Sequence, residues 1–354
     1  MVSPPPSRDK FEIAIACALP LEYNAVALLI DHFWDKDSDT YGRAVGDMNT
    51  YATGRIGAFD VVLVLLPSMG KVNAASAAAS LRSSYPGLRL VLLTGICGGV
   101  PGLETGKEML LGDVVISKSV LQYDLGRRYP DGFSIRDTNE VKLMKSVRNF
   151  VSIFETDHAR KALEIRAAAL LERIQNYTTE RQSECIYQYL GGTSDKLFQA
   201  SYRHKHHAPL ECLCAGCHES LDAVCDESRK MSCEELGCDN HYVVWRERLE
   251  MKQQLEREGR LKEAQAPSIF VGCVGSGDTV LKSGNDRDRI AKRHGILAFA
   301  MEGVGFWDDV PCIIVKGVCD YADSHKNKNW QNFAAATAAC VARGLVERYP
   351  QTDE

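Results

Sequence analysis

The chain has 354 residues, 45% hydrophobic and 25% charged, enough to bury one large core in an α/β domain that also carries an insertion. Its 42 Lys and Arg against 47 Asp and Glu leave a net charge of −5, so the overall field gives no basis for binding nucleic acid or a membrane surface, and any phosphate site must be local. The apolar run VVLVLLP at 61–67 is too short to cross a bilayer and MVSPPPSRDK lacks the apolar core of a signal peptide, which together predict a cytoplasmic protein.

In chain order, residues 1–10 read as a disordered tail and 11–350 as a single domain. FEIAIACA at 11–18 is apolar and β-branched enough for a buried strand, yet the acid Glu22 follows within four residues of its end. Further strands are predicted at 60–66 (DVVLVLL), 89–94 (RLVLLT), 113–116 (DVVI), 268–274 (SIFVGCV) and 311–316 (PCIIVK), with alanine-rich helical patterns at 74–81 and 333–346. Short apolar strands separated by helices predict an α/β fold: a largely parallel or mixed central sheet covered by helices on both faces. In such sheets ligands gather at the carboxyl ends of the strands. The unusual residues fall there: Glu22 after the first strand, Ser68-Met69-Gly70 after the second, Gly95-Ile96-Cys97-Gly98-Gly99 after the third and Cys319-Asp320 after the last.

Between 136 and 267 the texture changes to a helical, Cys/His-rich insertion. Amphipathic stretches at 139–149 and 159–175 precede the run Tyr202-Arg203-His204-Lys205-His206-His207 and then Cys212, Cys214, Cys217, Cys225, Cys233 and Cys238. Of the 13 cysteines, the other seven are scattered and read as small reduced hydrophobes. Cys214 and Cys217 have metal-ligand spacing, and Cys233, Cys238 and His241 could complete a structural zinc site within 212–241; free thiols are the alternative. Arg203 and Lys205 belong either to a solvated loop or to a lid that brings cations to a substrate's 5′-phosphate.

Taken in order, SMGKVNAASA, LLTGICGG, GDVVIS, GSGDTV, AMEGVGFW and VCDYAD resemble the nucleoside phosphorylase and nucleosidase superfamily, over roughly 11–125 and 268–348. More narrowly the chain looks like the fungal proteins in which this domain stands alone or opens NLR-like receptors, and around Glu22 it is most similar to methylthioadenosine/adenosylhomocysteine nucleosidases. That chemistry needs an oxocarbenium-like ribose held by its hydroxyls, a protonated leaving base and a nucleophile on the opposite face.

The resemblance implies a candidate for each. Glu22 matches the acid that deprotonates the attacking water, Glu302 the acid that binds the 2′- and 3′-hydroxyls, and Asp320 the acid that protonates N7 of the purine. Met69, Gly70, Thr94, Gly95 and Met301 join them as substrate-binding residues, with no metal in the chemistry. Against these stand plainer readings: Glu302 in a helix's first turn, Asp320 as an N-cap, the glycine turn as close backbone packing and Cys97 as packing. Ala300 departs from relatives that carry a second glutamate there. Phosphorylases place an arginine after the first strand and an Arg-x-Gly-Ser element at the third. Glu22 and Leu93-Thr94-Gly95-Ile96 supply neither, which favours water over phosphate as nucleophile.

The expectation is therefore a hydrolase: a purine N-ribosyl nucleosidase for an adenosine-like or ATP-like nucleoside or nucleotide, requiring no cofactor for chemistry. The alternatives are a phosphate-dependent purine nucleoside phosphorylase and a non-catalytic nucleotide-sensing module. As partners the resemblance implies the small-molecule purine, a homo-oligomer and, for an excised domain, a larger receptor chain.

Overall fold

The computed structural model describes residues 3–34, 41–102, 106, 108–130, 132–136, 140–182, 185–207, 212–217, 222–307 and 310–351. Its strands are β1 (Ile13–Cys17), β2 (His32–Phe33), β3 (Tyr51–Ile56), β4 (Phe59–Leu65), β5 (Leu90–Gly99), β6 (Val114–Gln122), β7 (Gly126–Tyr129), β8 (Gly132–Ile135), β9 (Glu140–Lys142), β10 (Ile269–Ser276), β11 (Ile296–Ala300) and β12 (Cys312–Asp320). The α-helices are α1 (Pro20–Ala27), α2 (Lys71–Ser84), α3 (Lys145–Ser152), α4 (Asp157–Glu180), α5 (Cys233–Leu236), α6 (Glu247–Arg257), α7 (Leu261–Ala264), α8 (Gly284–His294), α9 (Gly303–Trp307) and α10 (Gln331–Arg348).

The expected α/β architecture is present. One large mixed sheet runs β11-β10-β6-β12-β5-β1-β4-β3-β2, with β9 added beside β6 and β7-β8 as a separate hairpin. β1 lies between β4 and β5, parallel to both, and all five of its residues are buried. A strand covered on both faces has no solvent side, which is why its sequence is apolar throughout and does not alternate. The alanines of α10 have a matching cause: the helix is buried from Phe333 to Val346, and a Cβ on Gly317 of β12 would sit 2.0 Å from the Ala334 carbonyl oxygen. Only small residues let helix and sheet backbones approach so closely.

The sheet also closes on itself. β11 runs parallel to β10, β10 parallel to β6, β6 antiparallel to β12, β12 parallel to β5, and β5 antiparallel to β11. At the seam Gly98 of β5 faces Phe299 of β11 on one side and Asp320 of β12 on the other.

In the stretch beginning at 136, β9 pairs with β6, and Val147, Val151, Phe154, Leu163, Ala167, Leu170, Leu171 and Ile174 join the main core. Beyond α4, Tyr187 and Leu197 also join that core. At the other end, Ser3 to Lys10 follow a defined path with a short 3-10 turn at Arg8–Lys10, and the Tyr41 hydroxyl donates to the Pro5 carbonyl at 2.9 Å. Among the described residues no helix is long and apolar enough to cross a membrane.

Candidate functional site

Glu22 is placed by the end of β1. Leu19 is extended and Pro20 opens α1, where its missing N–H leaves no helical bond unmade. Glu22 is then the third helical residue. Its Oε2 accepts from the Ala18 and Leu19 backbone N–H groups at 2.8 and 2.9 Å, and its Oε1 accepts from the Ile96 N–H of β5 at 2.7 Å. One oxygen caps the helix and the other reaches across to β5. The side chain is 2% exposed. Burial pushes its pKa above the ordinary glutamate range, Lys316 works against that, and the nearby Glu302 adds to it.

Lys316 is the residue that sequence reasoning missed. It is buried in β12, its Nζ 3.4 Å from Glu302 Oε2 and 3.7 Å from Glu22 Oε1. Burial alone would lower its pKa, but the Glu22 and Glu302 carboxylates outweigh burial and hold it above the ordinary lysine value. The available signal was a single cation inside the apolar run CIIVKGVC; a buried lysine requires anionic partners.

Asp320 ends β12 and is also buried. Its Oδ1 accepts from the Ala322 N–H at 2.8 Å, and its Oδ2 pairs with Lys326 Nζ at 3.0 Å. The glycine run, expected as a turn, is the end of strand β5 and accommodates both acids. A Cβ on Gly95 would lie 1.9 Å from Glu22 Oε1, and one on Gly98 would lie 2.9 Å from Asp320 Oδ1. The end of β5 therefore leaves the space into which two carboxylates fit.

These groups surround one cleft of about 300 Å³, the lower end of the range for small-molecule sites. Glu22, Met69, Met301, Glu302 and Asp320 line it, whereas Gly70, Thr94 and Gly95 are not among its lining residues. Ile96, Cys97 and Gly98 take that position, and Tyr123 and Phe299, edge to face at 5.3 Å, supply an aromatic wall. Burial raises the Cys97 pKa, which keeps it a thiol. The cations lining the cleft are Lys316, Lys326 and Lys328; no arginine lines it among the described residues.

Arg203 and Lys205 are not brought to the cleft, which corrects the expectation of a phosphate lid built on them. Lys205 is buried and donates to the Ala215 and Cys217 carbonyls, and Arg203 donates to the Asp222 carbonyl. A segment with little apolar core of its own uses these cations to satisfy its own backbone. The expected metal set also changes membership. The groups that converge are His204, Cys233, Cys238 and His325, and separately His206, Cys212, Cys214 and Cys225. The Cys217 thiol donates to the Ala223 carbonyl at 3.3 Å, and His241 is exposed on a 3-10 turn. Spacing within 212–241 could not reveal His325, which arrives from the far end of β12.

Known proteins share the fold. Residues 12–181 match the family described as the phosphorylase superfamily. The chain is 27% identical over 348 residues to a nucleotide-binding leucine-rich repeat (NLR)-like protein of Hyaloscypha variabilis, a match that covers 96% of this chain and 29% of that protein. The chain thus spans under a third of that relative's length. In fold it is similar to the futalosine hydrolase of Helicobacter pylori, with a TM-score of 0.52 at 13% identity over 96% of this chain and 99% of that one. It is likewise similar to an S-adenosylhomocysteine nucleosidase from Streptococcus pyogenes, with a TM-score of 0.52 at 16% identity over 97% and 98% of the two chains.

Proposed function

Because the chain belongs to the nucleoside phosphorylase and nucleosidase superfamily, we propose that it is a purine N-ribosyl hydrolase, which cleaves the N-glycosidic bond of a purine nucleoside or nucleotide with water. In this reading Glu22 holds the water and takes its proton as the new bond to C1′ forms. Glu302 accepts hydrogen bonds from the 2′- and 3′-hydroxyls while Met301 packs under the sugar. The electron pair of the broken C1′–N9 bond leaves with the purine, whose N7 is protonated through Asp320, with the Lys326 ammonium beside it as proton source. Lys316 lets two buried carboxylates stay charged together, and the trio's net negative charge favours an oxocarbenium-like ribose.

The observation that carries hydrolysis over phosphorolysis is the anionic wall beside Lys316. An incoming phosphate would approach the Glu22 and Glu302 carboxylates, the one buried cation there is already shared between them, and no arginine lines the cleft among the described residues. The fold-level neighbours support this, since both are described as hydrolytic enzymes by name. Adenosine-like and ATP-like purines both fall within the proposal. A phosphate on the substrate would meet the exposed Lys328 at the cleft and not Arg203 or Lys205. The proposal extends to a cytoplasmic homo-oligomer that acts alone or as the effector module of a longer receptor.

The test is chromatographic detection of free base from adenosine, AMP and ATP, with and without inorganic phosphate. Base release unaffected by phosphate, with free ribose or its 5′-phosphorylated form as the second product, is expected. Ribose 1-phosphate would make the protein a phosphorylase, and saturable binding with no base release would make it a sensor. Light scattering tests assembly: a fully active monomer would refute the homo-oligomer.

A further inference from the structure

The Cys/His segment forms two compact tetrads, each with its ligand atoms within 4.8 Å of one another. In the first, Cys233 Sγ lies 3.7 Å from His204 Nδ1 and 3.5 Å from His325 Nδ1, and Cys238 Sγ lies 3.8 and 3.9 Å from the same two nitrogens. In the second, His206 Nδ1 is 3.2 Å from Cys214 Sγ and 3.6 Å from Cys225 Sγ, with sulfurs 3.4 Å (Cys212–Cys214) and 3.7 Å (Cys214–Cys225) apart. A tetrahedral zinc ion with Zn–S of about 2.3 Å and Zn–N of about 2.0 Å has edges of about 3.5 Å between sulfur and nitrogen and about 3.8 Å between sulfurs. The observed edges scatter around those values. The sulfurs are also too far apart for the roughly 2.05 Å of a disulfide.

The surroundings prepare the ligands. His204 Nε2 is 3.0 Å from the Met231 carbonyl oxygen and His325 Nε2 is 3.1 Å from that of Tyr202. A carbonyl only accepts, so each Nε2 carries the hydrogen and each Nδ1 presents its lone pair to the thiolates, the outer-shell pattern of metal-bound histidine. Gly237, left-handed with φ of 69°, closes the single turn of α5 and returns Cys238 to Cys233. In the second tetrad the Ser228 N–H donates to Cys225 Sγ at 3.3 Å.

We propose that each tetrad holds a structural zinc ion, closed to substrate, and that the first clamps the insertion to the loop after β12. His325 comes from that loop, while its partner ligands belong to the insertion. The next residue is Lys326, the ion-pair partner of Asp320, and the His325 N–H is fixed by Asp323 Oδ1 at 2.9 Å. The first ion thereby sets where the Lys326 ammonium stands. His325 is a positioning residue, and this part of the inference rests on the proposed function; zinc occupancy does not.

Metal content of the full chain, purified without chelator, separates the two. Elemental analysis and native mass spectrometry should find two zinc ions per chain, and the cysteines of both tetrads should resist thiol reagents until a chelator is added. No bound zinc, or thiols that react at once in the folded chain, overturns the sites with or without any enzymatic activity. Cys225→Ser and His325→Asn should each retain one ion. For the clamp, His325→Asn should lower kcat by about tenfold or more with a smaller change in KM, whereas Cys225→Ser should stay within about twofold of the parent. Equal losses in the two variants, or none in His325→Asn at one ion per chain, overturn the clamp. Melting curves of both variants identify one that has simply unfolded.

Discussion

Replacing Lys316 with methionine keeps most of the side chain's volume and removes the cation shared by Glu22 and Glu302. The charge lies 3.7 Å from one carboxylate and 3.4 Å from the other. At an effective dielectric of about 20 a unit charge at such a distance contributes about 4–5 kcal/mol, on the order of 3 pH units. Glu22 already has a raised pKa because it is buried, and without Lys316, which opposes that, it should rise further. As a base Glu22 works only when ionised. The acidic limb of kcat/KM should therefore move to higher pH, by at most the roughly 3 pH units of the full Coulomb contribution, with activity recovering as pH is raised. Stability supplies the matching sign. A carboxyl whose folded pKa lies above its unfolded value stabilises the fold below the unfolded pKa, and that contribution is lost as pH rises through the folded pKa. The variant's melting temperature should thus keep falling to higher pH than the parent's as pH rises from the ordinary glutamate range through the raised folded pKa. An acidic limb that stays in place, or moves to lower pH, would show that Lys316 does not govern the charge of Glu22.

Glu22→Gln should reduce hydrolysis by roughly two to four orders of magnitude and also lower the melting temperature. All three N–H donors around the carboxylate require acceptors, and an amide offers only one oxygen; a variant with near-parent turnover would dismiss Glu22 as the base. Gly95→Ala should be worse for folding than Gly98→Ala, because its Cβ meets Glu22 Oε1 at 1.9 Å against 2.9 Å to Asp320 Oδ1. Comparison of their denaturation midpoints decides the order. Lys328→Ala should weaken kcat/KM for ATP by about tenfold, one charge-assisted contact, and leave adenosine unchanged, whereas Arg203→Ala with Lys205→Ala should not discriminate between them. Equal effects on both substrates in Lys328→Ala would remove Lys328 from phosphate recognition.

Strands β1, β4, β5, β6, β10 and β12 and the positions of the three acids were legible because each is, or lies beside, an apolar run, a local pattern; β2, β3, β7, β8, β9 and β11 were not read from the sequence. Lys316 was not, since its meaning depends on two carboxylates that stand 294 and 14 residues away in sequence. The ring closure of β5 with β11 was equally hidden, because periodicity reports which residues are buried and not which edge meets which. The glycines of GICGG read as a tight turn but form the end of β5, and their reason, room for Glu22 and Asp320, belongs to side chains brought in from either end of the chain. Arg203 and Lys205 misled because a basic run reads as a surface until the carbonyls around it are known.

The ring of β5, β6, β10, β11 and β12 has a consequence for how the protein is made. The acid proposed as base lies at position 22, while Lys316 and Asp320 lie in the strand that completes the ring. A chain emerging from the ribosome therefore carries Glu22 long before it carries the lysine beside it or the acid proposed to protonate the purine. Until β12 inserts between β5 and β6, Gly98 has no Asp320 opposite it and the cleft has only one side. Such distant pairings form late and slowly. No truncated or nascent product that stops short of β12 can hold the complete site, so activity would arise only when synthesis and closure are both finished.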